Sequence, residues 1–151
     1  MDDILVAQAK ELIDSEDLLS AMCNITALLY NEMDMINWVG YYLYKNGELI
    51  LGPFQGKVAC SNIEIGKGVC GTSYQKRMLL NINDVTKFAG HIACDPDSCS
   101  ELVVPIMYKN IIYGVIDIDS TVYRRFGSNE EETVEAIANL ISAKIAKQKT
   151  A

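Results

Sequence analysis

Apolar and polar positions change their period along this chain, and the changes outline its elements. Through the first thirty or so residues the period is helical. One segment runs from about Asp3 to Ile13, and Ser15 reads as the N-cap of a second, with Glu16 and Asp17 favoured in its positive first turn. Leu18, Leu19, Met22, Ile25, Leu28 and Leu29 then recur along one helical face. Near Asn37 the pattern turns aromatic and β-prone, from Trp38 to Tyr44, and Asn46-Gly47 is a strong hairpin signal before a returning strand that starts at Leu49-Ile50-Leu51. Pro53 and Gly56 mark its irregular end. Gly66-Lys67-Gly68 reads as a turn, Val69 to Arg77 as a short helix, and Leu79 to Ile82 as a short strand. From Asn83 to Ser100 periodicity is lost, and such stretches in compact domains are often functional and mobile. Leu102 to Met107 and Ile111 to Asp119 form a second hairpin around Lys109-Asn110. Ser128-x-x-Glu131 is a capping box ahead of Val134, Ile137, Ala138, Ile141 and Ile145, which space a final helix to about Lys147. Strands joined by short turns are antiparallel. The expected class is therefore α+β, a central antiparallel sheet with the terminal helices packed on one face.

Composition narrows the function. Half of the 151 residues are apolar, enough for a substantial core, and no linker or repeat divides them, so residues 1–151 read as a single domain. Thirteen Lys and Arg against twenty Asp and Glu leave a net charge of −7, which argues against nucleic-acid and anionic-membrane partners. The acidic start, Met1-Asp2-Asp3, is unlike a secretory signal, and the expected compartment is the cytoplasm. The five cysteines, at 23, 60, 70, 94 and 99, therefore face a reducing environment, where packing, metal binding and redox chemistry compete as explanations.

Four groups could carry chemistry. Asp117 and Asp119, two apart on a strand, share a face at the end of an apolar run; clustered acids raise one another's pKa, so one can stay protonated while another binds an ammonium group. Trp38, Gly40 and Tyr42 share a strand face as two aromatic walls with a gap between them, which suits a small ligand, although an aromatic core cluster explains the pattern better. Cys94 follows His91-Ile92-Ala93 in a polar loop and suits a nucleophile; Cys60 and Cys70, beside turns, are plausible redox partners. His91, Cys94 and Cys99 with Cys60 or Cys70 could supply four metal ligands, but the spacing matches no zinc pattern. Cys23, one turn after Leu19 on the second helix, reads as a packed structural thiol.

Taken together, Asn37-Trp38-Val39-Gly40-Tyr41-Tyr42, the stretch from Leu51 to Cys60, Gly66-Lys67-Gly68-Val69-Cys70-Gly71-Thr72, Gly90-His91-Ile92-Ala93-Cys94-Asp95, Ser100-Glu101 and the stretch from Gly114 to Thr121 closely resemble the free methionine-(R)-sulfoxide reductases, enzymes made of a single GAF domain. The resemblance spans nearly the whole chain and implies a six-stranded antiparallel sheet, no cofactor, and reduction of free L-methionine (R)-sulfoxide to methionine. It implies that Cys94 attacks the sulfoxide sulfur and becomes a sulfenic acid. Cys60 is the first choice to resolve it as a disulfide and Cys70 the second, with thioredoxin as reductant. Trp38 and Tyr42 would wall the methyl-sulfoxide end, while Glu101, Asp117 and Asp119 would hold the substrate ammonium and protonate the sulfoxide oxygen. A protein-bound methionine lacks that ammonium, which accounts for selectivity toward the free amino acid. A homodimer is plausible on the same grounds. Cys99 departs from the family pattern and lies near enough in sequence to compete as resolver. The alternative is a non-catalytic GAF module that binds a small ligand for signalling.

Overall fold

In the computed structural model, which describes residues 1–92 and 94–150 (backbone only at 150), a six-stranded sheet carries three helices on one face and one on the other. Helices α1 (Asp3–Ser15) and α2 (Leu18–Glu32) precede strands β1 (Ile36–Lys45), β2 (Glu48–Gly56) and β3 (Asn62–Ile63). Helix α3 (Gly68–Lys76), strand β4 (Leu80–Ile82), a 3-10 turn at Val85–Lys87, strands β5 (Ser100–Tyr108) and β6 (Ile111–Ser120), and helix α4 (Ser128–Thr150) complete the chain. The sheet order is β3-β2-β1-β6-β5-β4, antiparallel at every pairing. The expected α+β architecture is the one observed.

Side-chain alternation makes two cores. Val39 and Tyr41 of β1, Leu102, Val104 and Ile106 of β5, and Ile116 and Ile118 of β6 face α1, α2 and α4. The helices answer with Leu5, Ala9 and Ile13, with Met22, Ile25 and Leu29, and with Val134, Ile137, Ala138 and Ile141. Tyr41 is fully buried there and satisfies its hydroxyl by donating to the Met22 carbonyl at 3.0 Å. The opposite face holds Trp38, Tyr42, Val103 and Val115 under Val69 and Cys70 of α3. This smaller core positions the candidate site.

Several local expectations change. Asp17, not Ser15, caps α2, accepting from the Leu19 N–H; the Ser15 hydroxyl instead donates to the Glu11 carbonyl inside α1. The capping-box return at α4 is shifted by one residue: Glu130 accepts from the Gly127 N–H, while Glu131 accepts from Asn81. Strand β2 does not fray at Pro53 but continues through it to Gly56, with a bulge of Gly52 and Pro53 opposite Tyr41. Cys23 is exposed rather than packed, as is Leu19; the buried stripe of α2 runs through Met22, Ile25 and Leu29 instead. Asn46 and Gly47 both have positive φ, 52° and 89°, the conformation a two-residue hairpin requires.

Candidate functional site

Strand register builds the floor of the pocket. Glu101 of β5 and Trp38 of β1 flank Asp119 of β6 in one cross-strand row; Val103 and Gly40 flank Asp117 in the next. Because β6 lies in the middle of the sheet, these acids are not a solvated edge: Glu101 and Asp117 are each 6% exposed. The N-terminal turn of α3, Gly68 to Cys70, closes one side of the cavity, and His91, Ile92, Cys94 and Asp95 line it from the loop side. The enclosed space is small, about 40 Å³, and Trp38 and Tyr42 form another wall.

The aromatic residues form the core cluster rather than the gap. Trp38 lies over Gly40, where an added Cβ would stand 2.7 Å from its ring and 2.4 Å from the Phe54 Cβ. The indole stacks between Phe54, at 5.4 Å, and Tyr42, at 6.0 Å. Gly40 therefore admits the tryptophan ring, and the cavity opens beside the stack over the acids. Both polar tips are used: Trp38 donates from Nε1 to the Lys57 carbonyl at 3.1 Å, and Tyr42 donates to the Cys60 carbonyl at 2.9 Å. These bonds pin the segment carrying Cys60 against the pocket.

Cys60 and Cys94 are joined by a disulfide across a Cα separation of 5.7 Å. The loop bearing Cys94 is tied down independently. Asn37 donates to Asp95 at 3.0 Å and to Ser98 at 3.1 Å, and Lys57 pairs with Asp97 at 3.2 Å. Cys70 is a buried free thiol with Sγ 4.0 Å from Glu101 Oε2, whereas Cys99 is anchored away from the cavity lining by its N–H to the Ser120 carbonyl. The four-ligand metal set of His91, Cys94, Cys99 and a further cysteine is not available in this form, because the Cys60 and Cys94 sulfurs are bonded to each other. Among the described residues, the ligand atoms that lie within 4.8 Å of one another belong to Cys70, Glu101 and Asp117.

Burial and proximity set the protonation of this floor. Burial, then the charges of Asp117 and Asp119, push the Glu101 carboxyl well above the usual range. Burial, then Asp117, does the same to Asp119. Burial also raises Asp117, but hydrogen bonds from Glu101, Cys70 and Asp119 work against that rise. All three acids are thus pushed toward their protonated forms, Glu101 and Asp119 furthest, and Asp117, whose rise is opposed, gives up its proton most readily. Asp117 Oδ1 and Asp119 Oδ1 are buried without a hydrogen-bond partner, acceptors ready for a cationic donor. Burial and the same acids raise the Cys70 thiol, so it remains protonated and is a poor nucleophile. A small pocket thus combines buried carboxyl oxygens without a partner, acids pushed toward their protonated forms and a disulfide-bonded cysteine pair.

The GAF-domain family model matches residues 16–145. The free methionine-R-sulfoxide reductase of Escherichia coli is 51% identical over 76% of this chain and 69% of its own length. Among solved structures, the free methionine-R-sulfoxide reductase from Neisseria meningitidis in complex with its substrate superposes with a TM-score of 0.91 at 31% identity, covering 97% of this chain and 90% of that one. This chain belongs to the free methionine-R-sulfoxide reductase family of GAF-domain proteins. The fRMsr of Staphylococcus aureus in complex with substrate, at 48% identity and a TM-score of 0.88, covers 94% of both chains. Within this family frame, the sequence had marked Cys60, Cys70, Cys94, Glu101, Asp117, Asp119, Trp38 and Tyr42, and all eight line the cavity or, for Cys60, bond to a residue that does. Sequence reasoning missed the contact of His91 with Glu101 and the third ring, Phe54, which enters through the bulge. It also missed the Asn37 clamp, which no spacing rule marks because its partners are about sixty residues away.

Proposed function

We propose that this chain reduces free methionine (R)-sulfoxide to methionine, with the Cys60–Cys94 pair as its two-electron donor. The observation that carries the reading is the placement of this pair over buried acids with two unpartnered oxygens. The substrate ammonium binds Asp117 and Asp119, and its methyl-sulfoxide end lies along Trp38 and Tyr42. Protonated Glu101 gives its proton to the sulfoxide oxygen, making the sulfur a better electrophile. The Cys94 thiolate attacks that sulfur, the sulfur–oxygen bond breaks, and the hydroxyl passes to Cys94. Methionine leaves with its sulfur reduced by two electrons, and Cys94 is left as a sulfenic acid. The Cys60 thiol then attacks Cys94 and water departs, forming the disulfide. Cys70 is the secondary resolver, slowed by its raised pKa.

Thioredoxin returns two electrons by thiol exchange, which places the reaction in a reducing compartment such as the cytoplasm. Among the described residues, no helix is long and apolar enough to cross a membrane. The chain acts as one GAF domain and assembles as a homodimer; sedimentation showing monomer alone would remove the dimer. Activity is tested by NADPH consumption with thioredoxin and thioredoxin reductase. The free (R) epimer should turn over, whereas the (S) epimer and the N-acetylated (R) sulfoxide, which lacks the ammonium, should be slower by about a hundredfold or more. No turnover of the free (R) epimer, with dithiothreitol also failing, would leave a ligand-binding GAF module.

A further inference from the structure

Resting on that reductase reading, we propose that His91 is a positioning residue that acts through Glu101: it takes the proton that Cys94 sheds on becoming a thiolate and passes it to Glu101, the group each turnover leaves without one. The proton balance of the first step calls for such a group. Glu101 gives one proton to the sulfoxide oxygen, and Cys94 sheds one on becoming a thiolate. The sulfenic acid and methionine that result need no further proton. The catalyst is restored when the proton shed by Cys94 reaches Glu101. In the second step the Cys60 proton leaves within the water, so no second relay is required.

His91 lines the same cavity as Cys94 and Glu101. It is the chain's one histidine and stands three residues before Cys94. Its Nε2 is 3.7 Å from Glu101 Oε1, close enough for a small ring movement or one water to complete a hydrogen bond. Its side chain is 17% exposed and that of Glu101 8%, so the imidazole bridges the buried acid and the pocket opening. The backbone N–H of His91 donates to the Phe88 carbonyl at 3.2 Å, which holds this residue at the loop side of the cavity. An imidazole accepts a proton on one nitrogen while donating from the other.

The other groups around the cavity are less suited. Cys70 on α3 and Tyr42 on β1 hold their protons too tightly, each through burial first. On β6, Asp117 is raised by burial against its hydrogen bonds and Asp119 by burial and by Asp117, and Asp95 on the loop is held by Asn37. Burial lowers the His91 imidazole while the Asp117 charge opposes that, so it is neutral and able to accept at neutral pH.

The test is single turnover of pre-reduced protein with free methionine (R)-sulfoxide, read as methionine released, which removes the reductant's own pH dependence. His91→Gln and His91→Ala should slow release by about tenfold or more, with substrate affinity little changed, and added imidazole should restore part of the rate of His91→Ala. In the wild type, the acid limb of the pH profile should match the titration midpoint of the single imidazole followed by NMR, and the limb should vanish in His91→Gln. A His91→Ala rate within twofold of wild type, a loss that imidazole does not relieve, or an acid limb unrelated to the imidazole midpoint would each overturn the relay. The wild-type comparison stands even if a variant fails to fold. Absence of wild-type turnover would instead overturn the reductase reading itself.

Discussion

Cys94→Ser is expected to abolish turnover of free methionine (R)-sulfoxide, by on the order of a thousandfold or more, because it removes the attacking sulfur. Cys60→Ser should fail differently. Its Cys94 can still attack once, so pre-reduced protein should release about one methionine per chain quickly and then continue only slowly with thioredoxin, through Cys70. Mass spectrometry should find Cys94 oxidised in that slowed protein. Cys99→Ser should stay within about twofold of wild type. Cys99 is held by backbone bonds to Ser120 and Val85, its thiol reaches the Asp97 carbonyl at 3.7 Å, and it lies off the cavity wall, whereas Cys60 is already bonded to Cys94. A Cys94→Ser protein that keeps turning over, or a Cys60→Ser protein that cycles with thioredoxin at the wild-type rate, would sink the proposed division of labour.

The sheet and its site were legible in the sequence to different depths. Period-two alternation in Trp38–Tyr42 and Val115–Asp119 separates the helix-facing side chains from the pocket-facing ones, so the co-facing of Asp117 and Asp119 follows from the strand alone. Glu101 joins them only through the β5–β6 register, and the resemblance to the reductases marked it where local pattern did not. Between the core cluster and a gap above Gly40, the structure has the cluster, and alternation could not decide because it tells which face a ring leaves from but not where it lies. Trp38 folds back over the glycine once the β2 bulge brings in Phe54. Cap positions at α2 and α4 slipped by one or two residues because Ser15, Glu16, Asp17, Gly127 and Ser128 offer competing caps, and helix-to-helix geometry chooses among them. Cys23 was assigned to the core from one apolar neighbour, Leu19, which is itself exposed.

Glu101→Gln should separate catalysis from stability with opposite signs. As the proton donor, Glu101 should contribute roughly a hundred- to ten-thousandfold to the rate, and the amide cannot replace it. For folding the effect reverses. Burial and the neighbouring acids raise Glu101 and Asp119 well above the carboxylate range. From the unfolded carboxylate pKa near 4 up to those raised values, the native state binds more protons than the unfolded chain. Wild-type stability therefore falls as pH rises through that window. Glutamine keeps the shape and needs no proton, so the Glu101→Gln protein should lose less stability between pH 5 and pH 8. Each pKa unit of elevation removed is worth about 1.4 kcal/mol, and each kcal/mol moves the melting temperature of a domain this size by about 2–4 °C. Melting should be compared across pH with the Cys60–Cys94 bond reduced in both proteins, so that the cross-link contributes to neither. A variant with wild-type kcat would remove Glu101 from the donor role. Parallel melting curves would show that its carboxyl is not held protonated by the cluster. A variant slower in turnover and steadier toward alkaline pH is the signature of an acid kept buried for its proton rather than for the fold.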